Sequence, residues 1–254
     1  MDTPAPGFNC NICGARSLVA GSELHREVVS CEKCGSTPRA RAIIRALSLG
    51  LFGHNMALTD FPLNREISGL GMSDWEGYAA KLAEKFWYTN TYYHKEPRLD
   101  ISGTIPARLL QSCDFVISSE VFEHIVPPVQ RAFANTFEIL KPGGVFVLTV
   151  PYGNQLETVE HFPDLYDFTI IADKDTYRLE NVTRSGEVQE FHDLVFHGGA
   201  GATLEMRIFG EAALLRHLTE AGFEEIVVHR EPDFLHGIWW PEPWSLPLSA
   251  RRPR

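Results

Sequence analysis

From residue 65 onward the chain alternates short apolar runs with amphipathic stretches of helical period, and no other feature restricts its fold as strongly. Such alternation predicts βαβ units and a largely parallel sheet, because parallel neighbours need a crossover between them. The first run, REISGLG, ends in Gly69-Leu70-Gly71. MSDWEGYAAKLAEKF then puts Trp75, Tyr78, Ala79, Leu82 and Phe86 on one helical face, with Ser73 and Glu76 as a capping box. FWYTNTYYH reads as a second strand, RLDIS as a short third and CDFVISS as a fourth. Pro127-Pro128 opens a helix carrying Val129, Phe133, Phe137 and Leu140, closed by KPGG, and VFVLTVPYG reads as a buried fifth strand. EAALLRHLTEAGF predicts a helix ending at Gly222, EIVVHRE a strand, SLPLSARR a last antiparallel strand, and ARRPR a frayed basic tail.

The stretch SSEVFEHI follows directly on Phe115-Val116-Ile117. Carboxylates and imidazoles are rarely buried unless paired, so Glu120, Glu123 and His124 mark a chain leaving the core or entering a site. They fall just past the carboxyl end of a central strand, where open α/β sheets place their ligands. Residues 151–205 break the alternation with aromatics, histidines and a hairpin, YRLENVTRSGEVQEF, turning at Ser185-Gly186. This segment is expected to be a lid or substrate-facing insertion.

Four of the five cysteines form two C-x-x-C pairs, CNIC and CEKC, each followed by glycine. The spacing fits a tetrahedral site of Cys10, Cys13, Cys31 and Cys34, and Gly14 and Gly35 suit the tight turns it needs. Two disulfides or simply packed thiols are the alternatives, and zinc is the preferred reading. Four thiolates leave no open coordination position, so the metal is expected to be structural. Cys113, at the start of an apolar strand, reads as core. After the ribbon, Ser36 or Thr37 can cap a helix with Pro38 in its first turn and Ile43, Ile44 and Leu47 on one face. Arg39, Arg41 and Arg45 are then its solvated or ribbon-facing side.

An apolar content of 44% over 254 residues is enough for a real core, and a formal net charge of −10 argues against a phosphate-backbone partner. No apolar stretch approaches the roughly 20 residues that cross a bilayer, and MDTPAPGFNC lacks the features of a secretion signal, so a cytoplasmic protein is expected.

Taken together, CDFVISSEVFEHI, EILKPGGVFVLTVP and LLRHLTEAGF resemble the class I S-adenosylmethionine (SAM)-dependent methyltransferases over residues 60 to 250. A subset of that family also carries an N-terminal cysteine ribbon running into an arginine-bearing helix, as in CEKCGSTPRARAIIRAL. The resemblance implies a Rossmann-like, doubly wound, mostly parallel seven-stranded sheet with a small zinc ribbon and a lid-like insertion. Its divisions are residues 1–37 as ribbon, 38–59 as linker helix and 60–254 as methyltransferase domain, with 151–205 as insertion. It further implies that SAM meets Gly69 and Gly71 along its methionine part, Asp100 and Ile101 at its adenine, and Ser119 and Glu120 in the loop after strand four. The family usually ends strand two with an acidic residue for the ribose hydroxyls; YTNTYYH has none and leaves Asn90 or Thr91 in its place.

Methyl transfer from a sulfonium is an in-line displacement, and a hydroxyl or amine acceptor must also lose a proton. The candidate bases are His124, His161 and His197. The enclosed, aromatic character of the insertion favours a small-molecule or sugar-like acceptor. An RNA methyltransferase gripping its substrate with the ribbon and a non-catalytic, zinc-binding module on the same fold are the competing readings.

Overall fold

A computed structural model describes residues 7–19, 21–174, 176–199 and 201–254. Its centre is a six-stranded sheet. The strands are β1 (Ser68–Met72), β2 (Trp87–Thr91), β3 (Cys113–Ser119), β4 (Leu140–Thr149), β5 (Glu224–Val228) and β6 (Leu248–Arg251). Their order is β5-β6-β4-β3-β1-β2; β1 to β4 are parallel, β6 runs antiparallel to β4, and edge strand β5, antiparallel to β6, runs with the parallel set. From β1 the chain moves outward to β2 and then returns to the opposite side as β3. The carboxyl ends of β1 and β3 therefore diverge at a topological switch point.

Phe115, Val116 and Ile117 are fully buried on β3 because helices cover both faces. On one face α1 (Pro38–Phe52) and α2 (Glu76–Lys85) bring Ile43, Ile44, Leu47, Tyr78, Leu82 and Phe86 against Phe115, Ile117, Val145 and Val147. On the other, α3 (Gln130–Ile139) and α4 (Glu211–Glu220) bring Phe133, Ile139, Leu214 and Leu218 against Val116, Phe146 and Leu148. Truncating a buried leucine such as Leu47 in such a core costs about 2–5 kcal/mol. The start of α1 follows the sequence reading, with Thr37 Oγ1 accepting from the Ala40 amide and Pro38 in the first turn. Helix α1 lies on the sheet so closely that a Cβ on Gly50 would come within 2.6 Å of Val145 Cγ1.

Other expectations need correction. Among the described residues the sheet has six strands, not seven, because RLDIS shrinks to a single parallel bridge between Tyr92 and Arg98. Pro97 has no amide to donate, and Asp100 Oδ1 accepts from both the amide and the hydroxyl of Ser102, which turns the chain away. Helix α2 begins after Trp75 with no side-chain cap, so the Ser73–Glu76 capping box does not form. Trp75 is 38% exposed, outside the buried face its spacing suggested. The basic tail is anchored: Arg251 donates to the carbonyls of Gly143 and Gly50, and Arg252 to those of Phe137 and Leu140.

The insertion folds around its own small core of Phe162, Leu165, Leu179, Leu204 and Met206. It contains an antiparallel sheet of Asp167–Asp173, Thr176–Val182 and Val188–Phe191, whose last turn uses Gly186 at φ +86°. Fully buried Arg207 ties it to the loop after β3: it pairs with Glu160 at 2.8 Å and donates to the carbonyls of Phe122 and Ile125.

Candidate functional site

Three polar groupings sit near one another in the chain's logic, and each is assembled differently. In the ribbon, the amides of Gly14 and Gly35 bond back to the carbonyls of Cys10 and Cys31 at 2.8 Å, with both glycines at positive φ. These turns bring the four sulfurs within 4.8 Å of one another, Cys10–Cys34 at 3.6 Å and Cys13–Cys31 at 3.7 Å. That separation is far too long for a disulfide and close to the edge of about 3.8 Å that a tetrahedral ion with sulfur at about 2.3 Å imposes. Beneath the knuckles, buried Arg41 donates to Ser30 Oγ, to the carbonyl and hydroxyl of Ser36 and to the Gly237 carbonyl, and it stacks 4.3 Å over Phe8. Of the three arginines on α1, it is the one fully buried against the knuckles.

The second grouping is the rim at the carboxyl ends of β1, β2 and β3. Gly69 and Gly71 lie inside β1, not in a loop after it. A Cβ on Gly69 would sit 2.1 Å from the Phe115 ring, and one on Gly71 would sit 2.0 Å from Tyr88 Oη and 2.3 Å from Asp74 Oδ2. Packing within the chain thus already demands both glycines. Burial pushes the Asp74 carboxyl up to about 7, against hydrogen bonds from the Tyr88 and Tyr78 hydroxyls. Asn90 is committed to the same turn: its Oδ1 accepts from the Asp74 amide and its Nδ2 donates to the Asp74 carbonyl. Asp100 is held by Ser102, and the Ile101 side chain is buried in the core.

Across this rim, the ribbon and α1 reach the loop after β3. Arg26 pairs with Glu120 at 2.7 Å, Arg39 bonds the Ser119 hydroxyl and Glu27, and Arg39 Nε lies 4.0 Å from Glu120 Oε1. Burial works against the charge of Glu120, but Arg26 and then Arg39 outweigh it and hold its carboxyl below the usual range. Glu120 takes φ +55°, which aims the carboxylate back toward these arginines.

The third grouping gathers all three candidate histidines. His124 Nδ1 lies 2.9 Å from the Leu204 carbonyl, and its Nε2 lies 3.5 Å from Glu123 Oε1. The His124 and His197 rings meet edge to face at 4.9 Å. Glu205 bridges the other two, at 2.9 Å from His161 Nε2 and 3.1 Å from His197 Nε2. Glu123 is fully buried, and neither of its carboxylate oxygens has a hydrogen-bond partner among the described residues. Burial, and then the charge of Glu120, push its carboxyl well above the ordinary range, while burial pulls His124 down.

Arg26, Glu27, Asp74 and Glu205 escaped the sequence reading. Asp74 stood in the strand-to-helix turn, but Arg26 and Glu205 belong to no motif and meet the site only through tertiary folding. A cavity of about 310 Å³ runs beside the sheet's outer edge, lined by Leu70, Trp87, Thr91, Arg98, Leu109 and Cys113 among others. Of the expected cofactor residues it touches only Gly69 and Thr91.

Residues 100–148, from the turn at Asp100 through most of β4, match the family model of a methyltransferase domain, and that match supports an enzyme. Comparison with curated proteins finds no significant match. Among solved structures, a SAM-dependent methyltransferase from Clostridium acetobutylicum is 13% identical, with a TM-score of 0.43 over 72% of this chain and 82% of that one. A sugar N-methyltransferase from Streptoalloteichus is 13% identical, with a TM-score of 0.49 over 85% and 87%. An amino pentose methyltransferase from Micromonospora, solved with SAM bound, is 14% identical, with a TM-score of 0.45 over 86% and 92%.

Proposed function

We propose that the chain transfers a methyl group from SAM to a small-molecule or sugar-like acceptor, on oxygen or nitrogen, at the carboxyl ends of β1 and β3. The observation that carries this is the pairing of opposite charges at that rim, within and beside the matched segment. The methionine end of SAM is a zwitterion. Glu120 suits its ammonium, and Arg39 beside the Ser119 hydroxyl suits its carboxylate. Within the chain Glu120 pairs with Arg26 and lies 4.0 Å from Arg39 Nε, so these charges neutralise one another. Asp100 and the backbone at Ile101 are assigned to the adenine, with Gly69, Gly71 and Asn90 along the cofactor's length.

The sulfonium supplies an already activated methyl group, so the chain's own task is to orient the acceptor, exclude water and receive a proton. His124, His161 and His197 are the candidate acceptors of that proton. His124 is available at Nε2, because Nδ1 is occupied by the Leu204 carbonyl. Residues 151–205, which bring His161 and His197 to the loop after β3, act in this reading as the lid of the 60–254 domain. Residues 1–37 form a structural zinc ribbon of Cys10, Cys13, Cys31 and Cys34, joined through 38–59, and its Arg26 closes one side of the rim.

Calorimetric titration with SAM tests the proposal. Binding is expected, and Glu120→Gln should weaken it about tenfold, the worth of one charge-assisted hydrogen bond. Absence of binding would favour the non-catalytic reading, which the self-neutralised rim also accommodates. The acidic balance of the chain weighs against RNA as the acceptor.

A further inference from the structure

We propose that Glu123, His124 and His197 form a second metal site, for a divalent first-row transition ion bound through nitrogen and oxygen. Their ligand atoms lie within 4.8 Å of one another, close enough for a single ion to reach all three. Two imidazoles and one carboxylate are the donor set of open, nitrogen- and oxygen-liganded transition-metal sites.

Three features point to an ion in preference to a simple hydrogen-bonded cluster. Glu123 is fully buried with both oxygens unpartnered, an arrangement that costs several kcal/mol unless a proton or a cation compensates it. The Leu204 carbonyl sits 2.9 Å from His124 Nδ1, so that nitrogen carries the hydrogen and Nε2 presents its lone pair toward Glu123. The 3.5 Å between that lone pair and the carboxylate oxygen is longer than an O–H···N hydrogen bond and close to the edge of about 3.4 Å that a tetrahedral ion with ligands at about 2.1 Å imposes. Finally, Glu205 anchors His197 at 3.1 Å and is itself held by His161 at 2.9 Å. This is the support from a neighbouring carboxylate that ligand histidines characteristically receive. His161 then belongs to the support, not to the first set of ligands.

One consequence rests on the methyl-transfer reading. An ion here would bind an acceptor hydroxyl and make it more acidic, and the proton released would pass to solvent water. The oxygen then attacks the methyl carbon as the carbon–sulfur bond breaks, and S-adenosylhomocysteine departs as a neutral thioether. The histidines would be ligands rather than bases, and the acceptor atom would be oxygen.

The site itself is tested without any transfer assay. The full-length protein is dialysed against zinc(II) and, separately, cobalt(II), and its metal content is measured for the wild type, His197→Ala and Glu123→Gln. His197 lies on a two-residue strand with its side chain 39% exposed, and glutamine is isosteric with glutamate, so both variants should fold. The wild type should hold one equivalent more than either variant, while the thiolate-to-cobalt absorption of the ribbon stays the same in all three. Added zinc should raise the wild-type melting temperature by several degrees more than that of His197→Ala. Equal metal content in the wild type and His197→Ala, or equal stabilisation of the two by zinc, would overturn the proposal. If methyl transfer is then observed and is unaltered in His197→Ala, the catalytic consequence fails while the metal measurement stands on its own.

Discussion

The ribbon draws its four cysteines from two tight turns close together in sequence, whereas the histidine cluster draws His124 from the loop after β3 and His161, His197 and Glu205 from an insertion far along the chain. The difference separates what local chemistry can specify from what only a completed fold can. A knuckle closes on itself through one glycine at positive φ, so its geometry is written in five consecutive letters. The other cluster exists only once Arg207 has tied the insertion's stem to the carbonyls of Phe122 and Ile125.

The largest expected effect breaks the local side of this contrast. Cys10→Ser should lose the ribbon's zinc and the order of the ribbon, since structural zinc contributes about 10–16 kcal/mol in isolated finger domains. Metal analysis with hydrogen exchange reads this, and unchanged protection there would show thiols that merely pack. Next, Arg41→Ala removes a fully buried cation that joins the ribbon to Gly237, and it should cost about 3–5 kcal/mol in chemical denaturation. A loss below about 1 kcal/mol would mean that the ribbon is held by its metal alone.

Asp74 supplies a sharper, pH-dependent test of the rim. Its folded-state pKa is raised to about 7 by burial, so the folded protein binds the extra proton. The burial penalty is absent below the unfolded carboxyl's pKa near 3.8, grows as pH rises and is complete above about 7. Wild-type stability should therefore fall across that window by on the order of 1–4 kcal/mol relative to Asp74→Asn, measured by denaturant midpoints. Parallel pH profiles would contradict the buried, protonated carboxyl. The smallest effect belongs to Glu120→Gln, which loses the part-buried pair with Arg26 and should cost about 1–2 kcal/mol of stability.

The same division explains what the sequence disclosed. Runs such as Phe115-Val116-Ile117 and the turn at Gly186 carry their own period or dihedral requirement, so strands, helices and hairpin were legible. RLDIS misled because its alternation is that of a strand, yet Pro97 and the Asp100–Ser102 turn remove the ladder it needs. Ser73 and Glu76 have the spacing of a capping box, but the turn is governed by Asp74, Tyr78, Tyr88 and Asn90 meeting from two elements. In the candidate site, the glycines and the SSEVFEHI loop were legible as positions. Arg39 was legible as a residue of the arginine-bearing helix but not as a partner of Ser119, and Arg26 and Glu205 arrive from sequence-distant elements and leave no motif.

A crystal structure with S-adenosylhomocysteine tests the methyl-transfer site most directly. The ligand is expected at the diverging carboxyl ends of β1 and β3, with the Arg26–Glu120 pair opened and Glu120 on its ammonium. Ligand bound instead in the cavity beside Trp87 and Arg98, with that pair intact, would contradict the assignment.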